Sequence, residues 1–199
     1  MIWRAALIAV MLAHPALAHD THPTAKPPPA AAGQALPLPL GGAFRLTDQH
    51  GNPRTEVDLE GRLQLLFFGY AACESICTVA LPQMAALTKR LRDQGIAIRP
   101  VMVTVDPQND TPEAMVRALA AFDTDFLGLT GTPEALAAVY RSFAIESSVV
   151  FTDPAGQPVY AHGSLLYVLD GQGKLLTILP PILSDDRAAE IIAAFAVGG

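Results

Sequence analysis

Phe67-Phe68-Gly69-Tyr70-Ala71-Ala72-Cys73-Glu74-Ser75-Ile76-Cys77 continues the apolar run Leu63-Gln64-Leu65-Leu66 and leads into a segment with helical periodicity. Leu63 to Phe68 is continuously apolar apart from Gln64, the pattern of a strand buried on both faces of a sheet. The two cysteines of the 199-residue chain both lie in the loop that follows, so any thiol chemistry is confined to it. On a helix, a spacing of four places two side chains on one face with a rise of roughly 6 Å, which suits two thiolates converging on one metal ion. A disulfide is also open to this spacing, because Cα separations up to about 6.8 Å are bridged. The pair is therefore read as one that chelates or oxidises. A purely structural disulfide closed over so few residues restrains little of the unfolded chain.

Outward from this loop, Thr78 to Arg92 carries Val79, Leu81, Met84, Leu87 and Leu91 at helical intervals and ends at Gly95. Ile96 to Val105 reads as a second buried strand and Phe126 to Gly131 as a third. Thr111-Pro112-Glu113 and Thr132-Pro133-Glu134 each offer a capping threonine, a proline at the first helical position and an acid in the first turn. Upstream, Phe44 to Thr47 and Val57 to Leu59 flank the turn residues Asp48 to Pro53 as an N-terminal hairpin. Downstream, Val149 to Thr152 pairs with Val159-Tyr160, Leu165 to Leu169 pairs with Leu175 to Leu179, and Ser184-Asp185-Asp186 caps a last helix. Strands joined through helices pair in parallel and the closing hairpin adds antiparallel strands, so an α/β fold with a mixed central sheet and helices on both faces is expected. That is the arrangement of a thioredoxin-like domain, in which the loop after the first buried central strand enters a helix N-terminus. Such a terminus, with unpaired N–H groups and a positive dipole end, favours thiolate over thiol.

The first residues bear on the compartment. Arg4, the apolar run Ala5 to Ala13, the break at His14-Pro15 and the small-x-small site Ala16-Leu17-Ala18 read as a secretory signal over residues 1–18. The run is well short of the about 20 apolar residues of a spanning helix, so cleavage is expected; retention would leave the chain membrane-anchored. Residues 19–40, rich in Pro and Ala, read as an extended tether, and residues 41–199 as one globular domain. The formal charge is −6 and becomes one unit more negative when Arg4 is removed, which disfavours nucleic acid and anionic lipid as partners. An exported, periplasmic dithiol stays reduced only if another protein keeps it so.

Two thiolates alone rarely complete a metal site. His162 is the best third ligand, since it ends the Val149 to Ala161 excursion and stands just before the next strand, although a loop histidine is as readily a solvated one. His50 lies in a hairpin turn with no reason to approach the cysteines, and His19 and His22 fall in the tether, where a free α-amine at His19 would offer a secondary copper site. Two sulfurs and one imidazole suit Cu(I), accommodate Cu(II), and leave an open position for exchange. Structural zinc asks for four closed protein ligands.

Further motifs carry a resemblance. Phe67-Phe68-Gly69-Tyr70 before the Cys-x3-Cys pair, Val103-Thr104-Val105-Asp106-Pro107 followed by Asp110-Thr111-Pro112, Gly128-Leu129-Thr130-Gly131, and His162 ahead of Tyr167-Val168-Leu169-Asp170 resemble the Sco/SenC/PrrC family of copper-binding thioredoxin-like proteins. The resemblance implies that Cys73, Cys77 and His162 hold one copper, as Cu(I), Cu(II) or both, and that Asp106 belongs to a supporting segment. It implies an exported copper chaperone that delivers copper to, or reduces cysteines of, the binuclear copper centre of a respiratory haem-copper oxidase. Its partners would be the copper-accepting subunit, another copper donor and a thioredoxin-like reductant. This is metal transfer rather than turnover of a small substrate. The chain departs from the family's usual Thr, Pro, Asp and Pro around the cysteines, having Ala71, Glu74, Ser75 and Thr78 there. A periplasmic thiol-disulfide oxidoreductase would use the same cysteines, with Cys73 as nucleophile. Such enzymes usually carry Cys-x2-Cys and a proline facing it, and no proline lies between Pro158 and Pro180. A peroxidase of related fold is a third reading.

Overall fold

The computed structural model describes residues 34–122 and 125–196. The signal segment, the tether up to residue 33, and His19 and His22 lie outside the described residues. The elements run β1 (Arg45–Asp48), β2 (Pro53–Thr55), β3 (Leu63–Gly69), α1 (Cys77–Asp93), β4 (Ile98–Thr104), α2 (Pro112–Leu119), β5 (Leu127–Thr130), α3 (Pro133–Ser142), β6 (Ser148–Thr152), β7 (Pro158–Ala161), β8 (Leu166–Leu169), β9 (Leu175–Leu179) and α4 (Asp185–Ala196).

β3 is the centre of a seven-stranded mixed sheet in the order β2-β1-β5-β4-β3-β8-β9, parallel to β4 and antiparallel to β8. Its apolar run follows from that position, with a strand on either side and helices above and below. Residues paired across a sheet point to the same face, so Phe67, Met102 and Gly128 share one face and Phe68, Val103 and Leu129 the other. Phe68 meets Tyr140 and Phe143 from α3 and its C-cap. A side chain at Gly128 would strike Leu119 and Met115 of α2, and one at Gly69 would strike Cys77 of α1. Helices therefore cover both faces: α3 on one, α1 and α2 on the other, with α4 packed on α1. The fold is the expected thioredoxin-like α/β arrangement. Both capping threonines act as expected, Thr111 and Thr132 accepting from Ala114 N and Ala135 N at 3.2 Å.

Three local expectations are corrected. The second strand of the N-terminal hairpin is Pro53–Thr55, not Val57 to Leu59. Asp48, fully buried, accepts from His50 N and Asn52 N at 2.9 Å and from Arg54 Nε at 2.8 Å, closing the turn early so that pairing resumes at Pro53. In α1 the inward residues are Ala80, Leu81, Met84, Leu87 and Leu91, while Val79 is 53% exposed. The helix also starts one residue before the expected Thr78, which moves Cys77 into its first position. Cys73 and Cys77 do not share a helix face, because Cys73 sits in a turn closed by its own N–H to Tyr70 O at 3.2 Å. At the N-terminal side, Leu36 N donates to Leu176 O at 2.9 Å, tying the chain there to β9.

The β6–β7 hairpin forms a separate two-stranded sheet, and it delivers the chain to His162 immediately beyond β7. Among the described residues no helix is long and apolar enough to cross a membrane.

Candidate metal centre

Three side chains converge from two distant parts of the chain. The Sγ of Cys73 and the Sγ of Cys77 lie 3.9 and 4.0 Å from His162 Nε2, and all three atoms lie within 4.8 Å of one another. Both cysteines are buried and unbridged. The loop that places them is built from β3: the run ends at Gly69, the chain turns at Tyr70, and Cys77 opens α1. Gly69 permits the approach, since a Cβ there would stand 2.6 Å from the Phe67 ring and 3.1 Å from Cys77 Sγ.

His162 is oriented from its far side. Its Nδ1–H donates to Gly163 O at 3.0 Å, which leaves the Nε2 lone pair aimed at the two sulfurs. The ring stands edge-on to Phe67 and Tyr70, with centroids 5.8 and 5.7 Å away. Tyr70 also receives Tyr160 N on its hydroxyl and packs its ring on Tyr160 at 5.3 Å. The imidazole is thus a preset donor rather than a solvated loop residue. His50, by contrast, is exposed in the β1–β2 turn.

The two thiols are pushed apart in acidity. A hydrogen bond from Cys77 holds Cys73 well below the ordinary thiol range against the cost of burial, with smaller help from Ser75. Cys77, the more buried of the pair, is pushed up by the thiolate it faces and by its burial. Glu74 is exposed, where water screens its charge from the pair.

A polar shelf from the β4–α2 loop supports the site. Asp106, 1% exposed, accepts from the Tyr160 hydroxyl at 3.0 Å and from Asn109 Nδ2, so it fixes the strand that carries His162. Burial, and then the carboxylate it faces, push Tyr160 up to about 12, which keeps its hydroxyl a donor. Asp110, 2% exposed, accepts from Ala71 N at 2.9 Å and from the Thr104 hydroxyl, and so ties down the cysteine loop. Asp106 was within reach of motif reading. Asp110, Thr104, Tyr70 and Tyr160 lie within motifs or strands, and nothing local in the sequence marks them as supports.

Burial raises Asp110 from 3.8 to about 6, hydrogen bonds from Thr104 and Ala71 offsetting part of the shift. A carboxyl whose folded pKa exceeds its unfolded one binds its proton more tightly when folded. Its favourable contribution is complete below the unfolded value and is lost as pH rises through the folded value. Metal-free protein is therefore expected to lose about 2–3 kcal/mol from this group between roughly pH 4 and 6. Urea unfolding across that range, compared with Asp110→Asn, checks it: the variant flattens the pH dependence, and an unchanged profile contradicts the assignment.

Comparison with known proteins bears on the same residues. The family described as SCO1/SenC matches residues 32–196. An SCO2-like protein of Rickettsia conorii is 36% identical over 139 residues, covering 69% of this chain and 67% of that protein. The protein sco1 of Schizosaccharomyces pombe is 30% identical over 159 residues, covering 78% of this chain and 60% of that protein. The chain thus spans about 60–67% of the length of these two relatives. The copper-bound structure of Bradyrhizobium japonicum ScoI matches with TM-score 0.70 and 28% identity, over 78% of this chain and 99% of that one. Yeast Sco1 matches with TM-score 0.74 and 25% identity, over 81% of this chain and all of that one.

Proposed function

The chain belongs to the SCO1/SenC family, and from that premise we propose that it is an exported copper chaperone. It binds one copper ion through Cys73, Cys77 and His162 and passes it to the copper-accepting subunit of a respiratory haem-copper oxidase. The observation that carries this reading is the convergence of two Sγ atoms and His162 Nε2 within 4.8 Å. Two soft thiolates and an imidazole match copper in either of its oxidation states, and three ligands leave a position for an entering one. The donor set does not fit structural zinc, which closes a tetrahedron of four protein ligands.

The protein's residues do most of the preparation. One proton leaves the thiol pair when both sulfurs ligate, and Gly163 O holds the imidazole in the ligating tautomer. Copper is cargo here, passed by exchange of sulfur ligands. Another copper donor loads the site, and a thioredoxin-like protein keeps the pair reduced in the periplasm.

The test is transfer. The protein is loaded anaerobically with one equivalent of copper, mixed with a metal-free soluble domain of an oxidase copper-accepting subunit, and separated. Copper is expected to move to the subunit. Copper that stays with the loaded protein after equilibration contradicts delivery, and cysteines that oxidise without forming a complex contradict the copper site itself.

A further inference from the structure

A groove of about 540 Å³ opens beside the metal centre, between the Cys73 turn and the β6–β7 hairpin. That volume lies within the range of pockets that bind defined ligands. Of the three donor residues only Cys73 lines it; Cys77 and His162 do not. One wall is Phe151 and Val159, which are cross-strand partners in the hairpin. The rim carries Glu74 and Asp153, and none of the lining residues is Lys, Arg or His.

The hairpin wall is itself unusual. Val149, Val150 and Phe151 are consecutive and 53, 62 and 57% exposed. Among the described residues β6 pairs only with β7, and its five residues, Ser148 to Thr152, carry no charge. Edge strands are ordinarily blunted by charge, and runs of exposed apolar residues are ordinarily avoided unless something covers them.

We propose that this groove receives a cysteine-bearing, basic and apolar segment of the protein that exchanges copper with this chain. The proposal rests on the copper-transfer reading and adds the route and the chemistry of the partner. The acidic rim selects lysine or arginine beside the entering cysteine, and Phe151 with Val159 takes an apolar side chain next to it. The segment's sulfur then arrives at Cys73. A bond forms between that sulfur and copper, the bond from copper to Cys73 Sγ breaks, and the proton of the entering thiol passes on to Cys77 Sγ when that sulfur is released in turn. No electron is transferred. Cys77, 2% exposed and outside the groove, lets go after Cys73, as a second donor of the partner takes its place on copper. A second copy of this chain is a poor occupant, because its own charge is −6.

The test separates recognition from ligation. Two labelled decapeptides alternate valine with lysine or valine with glutamate, each with a central serine in place of cysteine, and bind to metal-free, reduced protein as followed by fluorescence anisotropy. The lysine peptide is expected to bind at least about tenfold tighter than the glutamate peptide. Phe151→Asn, at an exposed position, is expected to weaken it about tenfold while the protein still takes up one equivalent of copper. Equal binding of the two peptides, or binding indifferent to Phe151→Asn, overturns the groove assignment. So does a wild-type dimer that Phe151→Asn converts to monomer, which would give the apolar strip to self-association. Absence of copper uptake by the unmodified protein is read in a separate titration and overturns the copper reading instead.

Discussion

Cys77→Ser is expected to lower copper affinity by about a thousandfold or more, roughly 4 kcal/mol of binding free energy. Cys77 is 2% exposed at the first position of α1, so water has little access to fill the vacated ligand position. Serine keeps the shape and offers a hard, protonated oxygen where a soft thiolate stood. Competition against a chromogenic Cu(I) chelator measures the change. A loss smaller than about tenfold would mean that Cys77 is not a ligand, since even residues that only orient ligands cost 10–100-fold.

Phe67→Ala is expected to destabilise the protein by about 3–5 kcal/mol, the usual cost of emptying a fully buried aromatic position. Phe67 is 0% exposed in β3, and its ring stands against both His162 and the backbone at Gly69. The substitution removes core volume and the wall that fixes the imidazole together. The urea midpoint should fall sharply, and copper affinity should fall by about tenfold, the size of effect seen when a ligand's support is lost. A variant with unchanged stability would contradict the placement of Phe67 between core and site.

Much of the fold was legible because the signals are local. The apolar run of β3 and the Thr-Pro-Glu starts of α2 and α3 each rest on a few adjacent residues, and the structure places them as expected. The second strand of the first hairpin differs from the expectation because the buried Asp48 carboxylate, gathering four donors, sets where the turn closes. Periodicity does not register such a group. The cysteine spacing was read through helix geometry, whereas Cys73 precedes the helix in a turn. The convergence of the pair is set by the Tyr70 turn and by Gly69, not by a helical repeat.

At the site, the family motifs named the three candidate ligands, and the structure brings them together and shows what supports them. His162 reaches the cysteines across 85 to 89 residues, because β7 is pinned by Tyr160 to Asp106 and by Tyr70. Asp110 holds the cysteine loop from 39 residues away. Hydrogen bonds of that reach leave no periodic trace, so Asp110, Tyr70 and Tyr160 became visible as a group only in three dimensions. Of the departures around the cysteines, Glu74 stands exposed on the rim of the groove beside Cys73.

X-ray absorption at the copper edge of the protein loaded with one equivalent, beside His162→Ala, tests the central claim most directly. The account predicts two sulfur donors and one nitrogen donor in the unmodified protein, with the nitrogen contribution from imidazole lost in the variant. A first shell of nitrogen and oxygen alone, or spectra identical in the two proteins, would contradict a copper site built from Cys73, Cys77 and His162.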